Sequence, residues 1–317
     1  MTFAFVFPGQ GSQSVGMLDA MLAARGEHPS VAATLEEASD VLKQDLVTLI
    51  ANGPIEDLGL TANTQPVMLT AGVAMWRSWR EAGGAVPVVM AGHSLGEYAA
   101  LVASGALAFA DALPLVRFRA EAMQSAVPVG IGAMAAILGL DDDAVRAACV
   151  QGACGESGLE IVEAVNFNAP SQVVIAGHKG AVERACEAAR ALGAKRTLLL
   201  PVSAPFHSSL MQPAAARLSD YLSNVSMVEP PIAVINNVDV RAERDGAAIR
   251  AALVRQAAGP VRWVETIRKM ADDGVTQVVE CGPGKVLTGM TKRIDSRVNG
   301  VSIYDPASLD AILELVK

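Results

Sequence analysis

The sequence predicts an α/β fold: a mostly parallel sheet with a hydrolase-like nucleophile elbow, carrying an inserted ferredoxin-like subdomain. Three observations predict it. Short apolar runs alternate with helix-length segments in both the N-terminal and C-terminal parts of the 317-residue chain. The stretch Met90–Ala100, MAGHSLGEYAA, sets a serine between two glycines directly after an apolar run. The block from Gly132 to Leu200 reads strand, helix, strand, strand, helix, strand, the split βαβ pattern.

Phe3 to Phe7 is a first strand, followed by the glycine-rich loop Pro8-Gly9-Gln10-Gly11-Ser12-Gln13 and a helical stretch from Met17 to Arg25. Helices are predicted over Ser30 to Ala51 and Gln65 to Ala82, and the run Val86 to Ala91 reads as a buried strand with Pro87 at or before its first residue. Gly92-His93-Ser94-Leu95-Gly96 then has the glycine-x-serine-x-glycine spacing of a sharp strand-to-helix turn that lifts a serine hydroxyl above a sheet. Glu97 to Ser104, stopped by Gly105, is the helix this turn requires. A glycine-flanked turn with a solvent-facing serine is the rival reading, and the flanks favour the elbow.

A further helix covers Asp111 to Ser125, after which the pattern changes. The inserted unit reads as strand Ala133–Leu138, helix Asp142–Gly152, strand Leu159–Asn166, turn Asn168–Ser171, strand Gln172–Gly177, helix Gly180–Leu192 and strand Lys195–Leu200. Residues 129–204 are therefore assigned to the insert, and residues 1–128 with 205–317 to the large domain. The large domain resumes with a strand at Ile232–Asn236, helices at Ala247–Ala258 and Val261–Asp273, a strand at Thr276–Glu280, and Gly282-Pro283-Gly284 before another helix.

Composition excludes several function classes. Mean hydropathy is +0.35, yet glycine, proline, histidine or glutamate interrupts each uncharged stretch before the roughly 18 residues a membrane span needs. The stretch Thr2 to Gly9 lacks a basic leader and a cleavage site, which predicts a cytoplasmic protein. A net charge of −8 argues against nucleic-acid binding. Cys149, Cys154, Cys186 and Cys281 show no metal-ligand spacing and are expected to be free buried thiols, all but Cys281 in helical surroundings, with no metal and no cofactor.

A serine needs a neighbouring base, and the chain has four histidines. His28 lies in a polar turn, His93 is inside the elbow and should point away, and His178 is at a turn of the insert. His207, in Pro205-Phe206-His207, sits where the chain re-enters the large domain, a favoured place for a cleft. No acid stands out to complete a triad. Arg117 and Arg119, two apart on one helix, face nearly opposite ways, so that one at most reaches a common site.

The fragments Phe7–Gln13, Gly92–Glu97, Arg119 with Met123, Gly132–Ala136, Asn166–Pro170, Pro205–His207 and Gly282–Leu287 together resemble the malonyl-CoA:acyl carrier protein transacylases, in order and across nearly the whole chain. The resemblance implies that Ser94 is the nucleophile and His207 its base, and that Gln256 orients the histidine in place of an acid. Leu95 and Gln10 would supply the oxyanion hole; a phosphate-cradling role for the Gln10 loop lacks the P-loop lysine. Arg119 would hold the malonyl carboxylate, and Phe206 would narrow the pocket. Malonyl-CoA and acyl carrier protein are the implied partners of a monomeric enzyme, the CoA thioester being a substrate. Lys285, Lys292 and Arg293, or Lys195 and Arg196, are candidates for docking the acidic carrier. A serine thioesterase, a trans-acting polyketide acyltransferase and a carrier-binding module with a vestigial serine remain as alternatives.

Overall fold

The computed structural model describes residues 2–24, 26–155, 158–202 and 204–316. The predicted helix end at Arg25 and Ser203 of the segment before His207 lie outside the described residues. The first part of the chain runs β1 (Phe3–Phe7), α1 (Asp19–Ala23), α2 (Pro29–Leu42), α3 (Leu46–Asn52), α4 (Ile55–Gly59), α5 (Thr61–Glu81), β2 (Val89–Gly92), α6 (Gly96–Ala103) and α7 (Phe109–Gln124). The middle contains β3 (Gly132–Leu138), α8 (Asp142–Gly152), the two-residue strands β4 (Cys154–Gly155) and β5 (Gly158–Leu159), β6 (Val162–Ala169), β7 (Gln172–His178), α9 (Lys179–Ala191) and β8 (Arg196–Leu199). The last part runs α10 (Gln212–Leu222), β9 (Ala233–Ile235), α11 (Gly246–Ala257), α12 (Trp263–Asp272), β10 (Gln277–Cys281), α13 (Val286–Ile294), β11 (Asn299–Ile303) and α14 (Pro306–Leu315).

Five strands form one parallel sheet in the order β11-β10-β1-β2-β9. β1 is buried along its whole length because both faces are covered. Its odd residues, Phe3, Phe5 and Phe7, join Trp76 and Trp79 of α5, with the Phe5 ring 5.3 Å from each indole. Ala4 and Val6 face the other side, with Trp263, Ile267 and Met270 of α12 and Leu287 and Met290 of α13. This strict alternation is the period-2 geometry of a strand read on both sides.

The second sheet is antiparallel, in the order β6-β7-β3-β8. With β3 as the first strand, this is the ferredoxin-like arrangement the βαββαβ pattern predicts. Ala135 and Ile137 pack with α8 and α9, whereas Met134 turns to the opposite face and joins Met123, Phe206 and Met211. That second face makes one wall of the cleft described below.

Several boundaries differ from the sequence expectation for local reasons. The single helix expected over Ser30–Ala51 is two, because Lys43 adopts a left-handed φ of 52° and Asp45 caps α3 by accepting from the Thr48 N–H at 2.8 Å. The strand expected to begin at Leu159 begins at Val162, since Gly158–Leu159 pairs instead with Cys154–Gly155. It then runs on through Ala169, and the turn is left to Pro170 and Ser171, the latter at φ 60°. Cys154 is exposed on β4, unlike the other three thiols, which are buried. His28 is buried against α5, its Nδ1 3.0 Å from Ser78 Oγ, so it is no surface turn residue. No helix among the described residues is long and apolar enough to cross a membrane.

Candidate active site

The elbow is built by exclusion of side chains. A Cβ on Gly92 would lie 1.9 Å from the Gly96 carbonyl, and one on Gly96 would lie 2.1 Å from the Phe7 oxygen. Only glycine at both positions lets α6 leave the end of β2 so sharply and rest on β1. Between them Ser94 takes φ 52°, a left-handed conformation that a non-glycine residue holds only when its surroundings impose it. Those surroundings are visible. Asn237, just past β9, accepts the Ser94 N–H through Oδ1 at 2.7 Å and donates through Nδ2 to the Gly92 carbonyl at 2.7 Å.

His207 completes a pair with Ser94, its Nε2 standing 2.7 Å from the serine Oγ. It too has a left-handed backbone, φ 66°, reached after Pro205. Nδ1 lies 2.9 Å from the main-chain carbonyl of Gln256. A carbonyl only accepts, so Nδ1 carries the proton and Nε2 is left to accept from Ser94. Burial, and next the positive charge of Arg119, hold the imidazole down at about 3, which keeps it neutral and receptive at ordinary pH. Gln256 thus meets the imidazole through its main chain and not through its side-chain amide.

The Gln256 side chain has other work. Its Oε1 accepts from Arg119 Nη2 at 3.0 Å, and its Nε2 donates to the Ser94 carbonyl and to Glu97 Oε2, both at 3.0 Å. Arg119 is only 2% exposed; Nη1 donates to Gln65 Oε1 at 2.8 Å, Nη2 also reaches Ser94 Oγ at 3.2 Å, and the guanidinium stands over the Tyr98 ring. All these acceptors are neutral, so a buried cation meets no carboxylate directly. Arg117 points the other way, to Gln44 and the Leu42 carbonyl, as the two-residue offset on a helix requires.

Glu97, Asn237 and Gln65 are the residues that sequence reasoning left without a role. Glu97 lies in the motif itself, three residues after the serine. It accepts from the Asn237 N–H at 2.8 Å and from Gln256, and burial lifts its carboxyl to about 7. Asn237 stands at the carboxyl end of a parallel strand, where α/β sheets gather their chemistry.

Ser94, His207, Arg119, Gln10, Leu95 and Phe206 all line one cavity of about 130 Å³, together with Met134 of β3, Asn166 of β6 and Leu200 just after β8. From His93 to Tyr98 every main-chain N–H except that of Leu95 has a partner among the described residues. The Leu95 donor is therefore free at the N-terminus of α6, beside the serine. Gln10 reaches the cavity from the loop after β1, its side chain held by Thr61 at 3.1 Å. His93 makes no hydrogen bond to Ser94 or His207: it lines the same cavity, with its Nε2 2.8 Å from Asn168 Oδ1 and its ring packed on Trp263. His178 accepts the Ile161 N–H within the insert. Among the described residues no group of three or more histidines, cysteines or acids is placed to hold a metal ion.

Residues 4–304 match the acyl transferase domain family, which sets the class of this fold and site as acyltransferase. The chain is 53% identical over 313 residues to the malonyl CoA-acyl carrier protein transacylase of Escherichia coli, covering 99% of each. It is similar to the crystal structure of an acyl-carrier-protein S-malonyltransferase from Burkholderia pseudomallei, with TM-score 0.95, 63% identity, and 99% of this chain and all of that one covered. A malonyl-transacylase in complex with its type II PKS acyl-carrier protein matches with TM-score 0.96 at 51% identity, over 99% of this chain and 100% of that one. The chain belongs to the malonyl-CoA:acyl carrier protein transacylase family of acyltransferases.

Proposed function

We propose that this enzyme moves a malonyl group from coenzyme A to the pantetheine thiol of acyl carrier protein through a malonyl ester on Ser94, in support of fatty-acid synthesis. The observation that carries the reading is a serine Oγ placed 2.7 Å from His207 Nε2 and 3.2 Å from a buried guanidinium whose hydrogen-bond partners are all neutral. His207 takes the hydroxyl proton as Oγ attacks the thioester carbonyl, and the N–H groups of Leu95 and Gln10 receive the oxyanion. The proton passes to the departing coenzyme A thiol, and a carrier thiol then reverses the sequence, giving ping-pong kinetics. Arg119 binds the free carboxylate, since a planar fork is the best match for a buried carboxylate. Coenzyme A enters as a substrate, and the reaction needs no cofactor. Phe206, with Met123 and Met134, sets the width of the acyl pocket, and the segment 129–204 acts as the subdomain that walls it.

We further place the enzyme in the cytoplasm as a monomer that binds neither nucleic acid nor membrane. The carrier docks through local basic groups, Lys285, Lys292 and Arg293 on and before α13 or Lys195 and Arg196 at the start of β8. The experiment is intact-mass measurement after incubation with malonyl-CoA alone. One malonyl adduct is expected, absent in Ser94→Ala and discharged onto added carrier protein. Continuous release of coenzyme A with no adduct would mark a hydrolase, and neither adduct nor release would mark a binding module.

A further inference from the structure

We propose that Arg119 also holds Ser94 at rest, and that an acyl group bearing a free carboxylate releases it, so that selection is exerted in the acylation step as well as in binding. The inference rests on the reading that Arg119 receives the carboxylate, and extends it to the reactivity of the nucleophile.

A hydroxyl has one proton to donate and lone pairs to accept. The Ser94 proton is directed at His207 Nε2, 2.7 Å away, so the Arg119 Nη2 at 3.2 Å must be bonded to a lone pair of the same oxygen. One of the two lone pairs of the attacking oxygen is thereby engaged, which lowers its nucleophilicity toward a thioester carbonyl. The guanidinium is anchored elsewhere, through Nη1 on Gln65 and Nη2 on Gln256, while its buried Nε finds no partner among the described residues. The acceptors now on the guanidinium are neutral, whereas a carboxylate adds a full opposite charge in a buried site and matches the fork bidentately. It therefore draws the fork from Ser94 Oγ.

The same event changes the base. The titratable groups facing His207 are Arg119 from α7 and His93 from the elbow, opposed by the main chain of Gln256 and Gly259. After burial, the charge of Arg119 is the largest influence depressing the imidazole, and pairing it with a carboxylate cancels that field. A substrate with a carboxylate thus meets a freer nucleophile and a stronger base. An acetyl group meets neither.

The test acylates Ser94 with the carboxylate-free ester p-nitrophenyl acetate. Oγ bonds to the acetyl carbon, its proton goes to His207, and nitrophenolate leaves and is read in the first turnover across pH. Formate is the probe for the Arg119 position, its occupancy measured separately by competition with malonyl-CoA loading. Saturating formate is expected to speed acylation of the native enzyme by at least about threefold and to move the acid limb upward. Arg119→Gln is expected to be faster without formate and indifferent to it. The native-enzyme arm stands even where that variant folds poorly. Failure of formate to compete, or a preserved malonyl-over-acetyl preference in Arg119→Gln, would overturn Arg119 as the carboxylate site. If both of those hold and formate changes neither rate nor limb, the carboxylate site stands and the release mechanism is overturned.

Discussion

The Gln256 main-chain oxygen lies 2.9 Å from His207 Nδ1, while the side chain of the same residue bridges Arg119, Glu97 and the Ser94 carbonyl. One residue therefore serves two parts of the site by separable routes. Truncation to alanine removes the second route and leaves the first, because every residue carries a carbonyl.

Gln256→Ala is accordingly expected to keep a functional base and lose the alignment of Arg119. kcat/KM for malonyl-CoA should fall about ten- to hundredfold, about 1.4–2.8 kcal/mol of transition-state stabilisation. Transfer of acetyl, which makes no use of the arginine, should fall by less than about threefold. Steady-state comparison of the two thioesters checks this, and equal losses would mean that the side chain matters chiefly to the base.

Glu97 gives a pH signature in stability. Its folded-state value, about 7, lies above the 4.5 of an exposed glutamate because burial disfavours the charged form. The folded state therefore holds a proton that the unfolded state releases between pH 4.5 and 7, and stability from this group falls as pH rises through that window. Glu97→Gln retains an acceptor for both Asn237 and Gln256 and removes the titration. The stability of the native enzyme relative to this variant should drop by about 1–3 kcal/mol between pH 4.5 and pH 8, measured by denaturant unfolding. A difference that stays flat with pH would show that the carboxyl does not titrate in that window.

The elbow was legible because its constraints are local. Two glycines, a preceding apolar strand and a following helix suffice to announce Ser94, and the clashes at Gly92 and Gly96 show why. The insert was legible for the same reason, each strand and helix carrying its own period. What escaped was decided at long range. Asn237 holds Ser94 across 143 residues and Glu97 holds Asn237 across 140, and neither asparagine nor glutamate carries a local mark of that use. The orientation of His207 by a carbonyl leaves no trace in side-chain identity at all. Helix α10 and the final pair β11 and α14 also went unread, β11 because Asn299-Gly300-Val301-Ser302-Ile303 lacks the dense apolar run of β1.

Phe206 tests the shape of the acyl pocket. It packs with Met123 and Met134, lines the cavity with them and Arg119, and directly precedes His207, whose backbone is left-handed. An α-methyl branch on malonyl must find room among these three side chains, and one methyl group admitted or refused by an apolar pocket is worth about 1–3 kcal/mol. Phe206→Ala opens that volume while leaving the carboxylate contact intact. The ratio of kcat/KM for methylmalonyl-CoA to that for malonyl-CoA should therefore rise at least about tenfold, with the preference of malonyl over acetyl retained. Because Phe206 is itself buried, Phe206→Leu serves as the milder companion and should shift the ratio in the same direction by less. Competition between the two thioesters, read as the proportion of each adduct on Ser94, decides the matter: an unchanged proportion in both variants would place the branch against another wall, with Met134 the next to change.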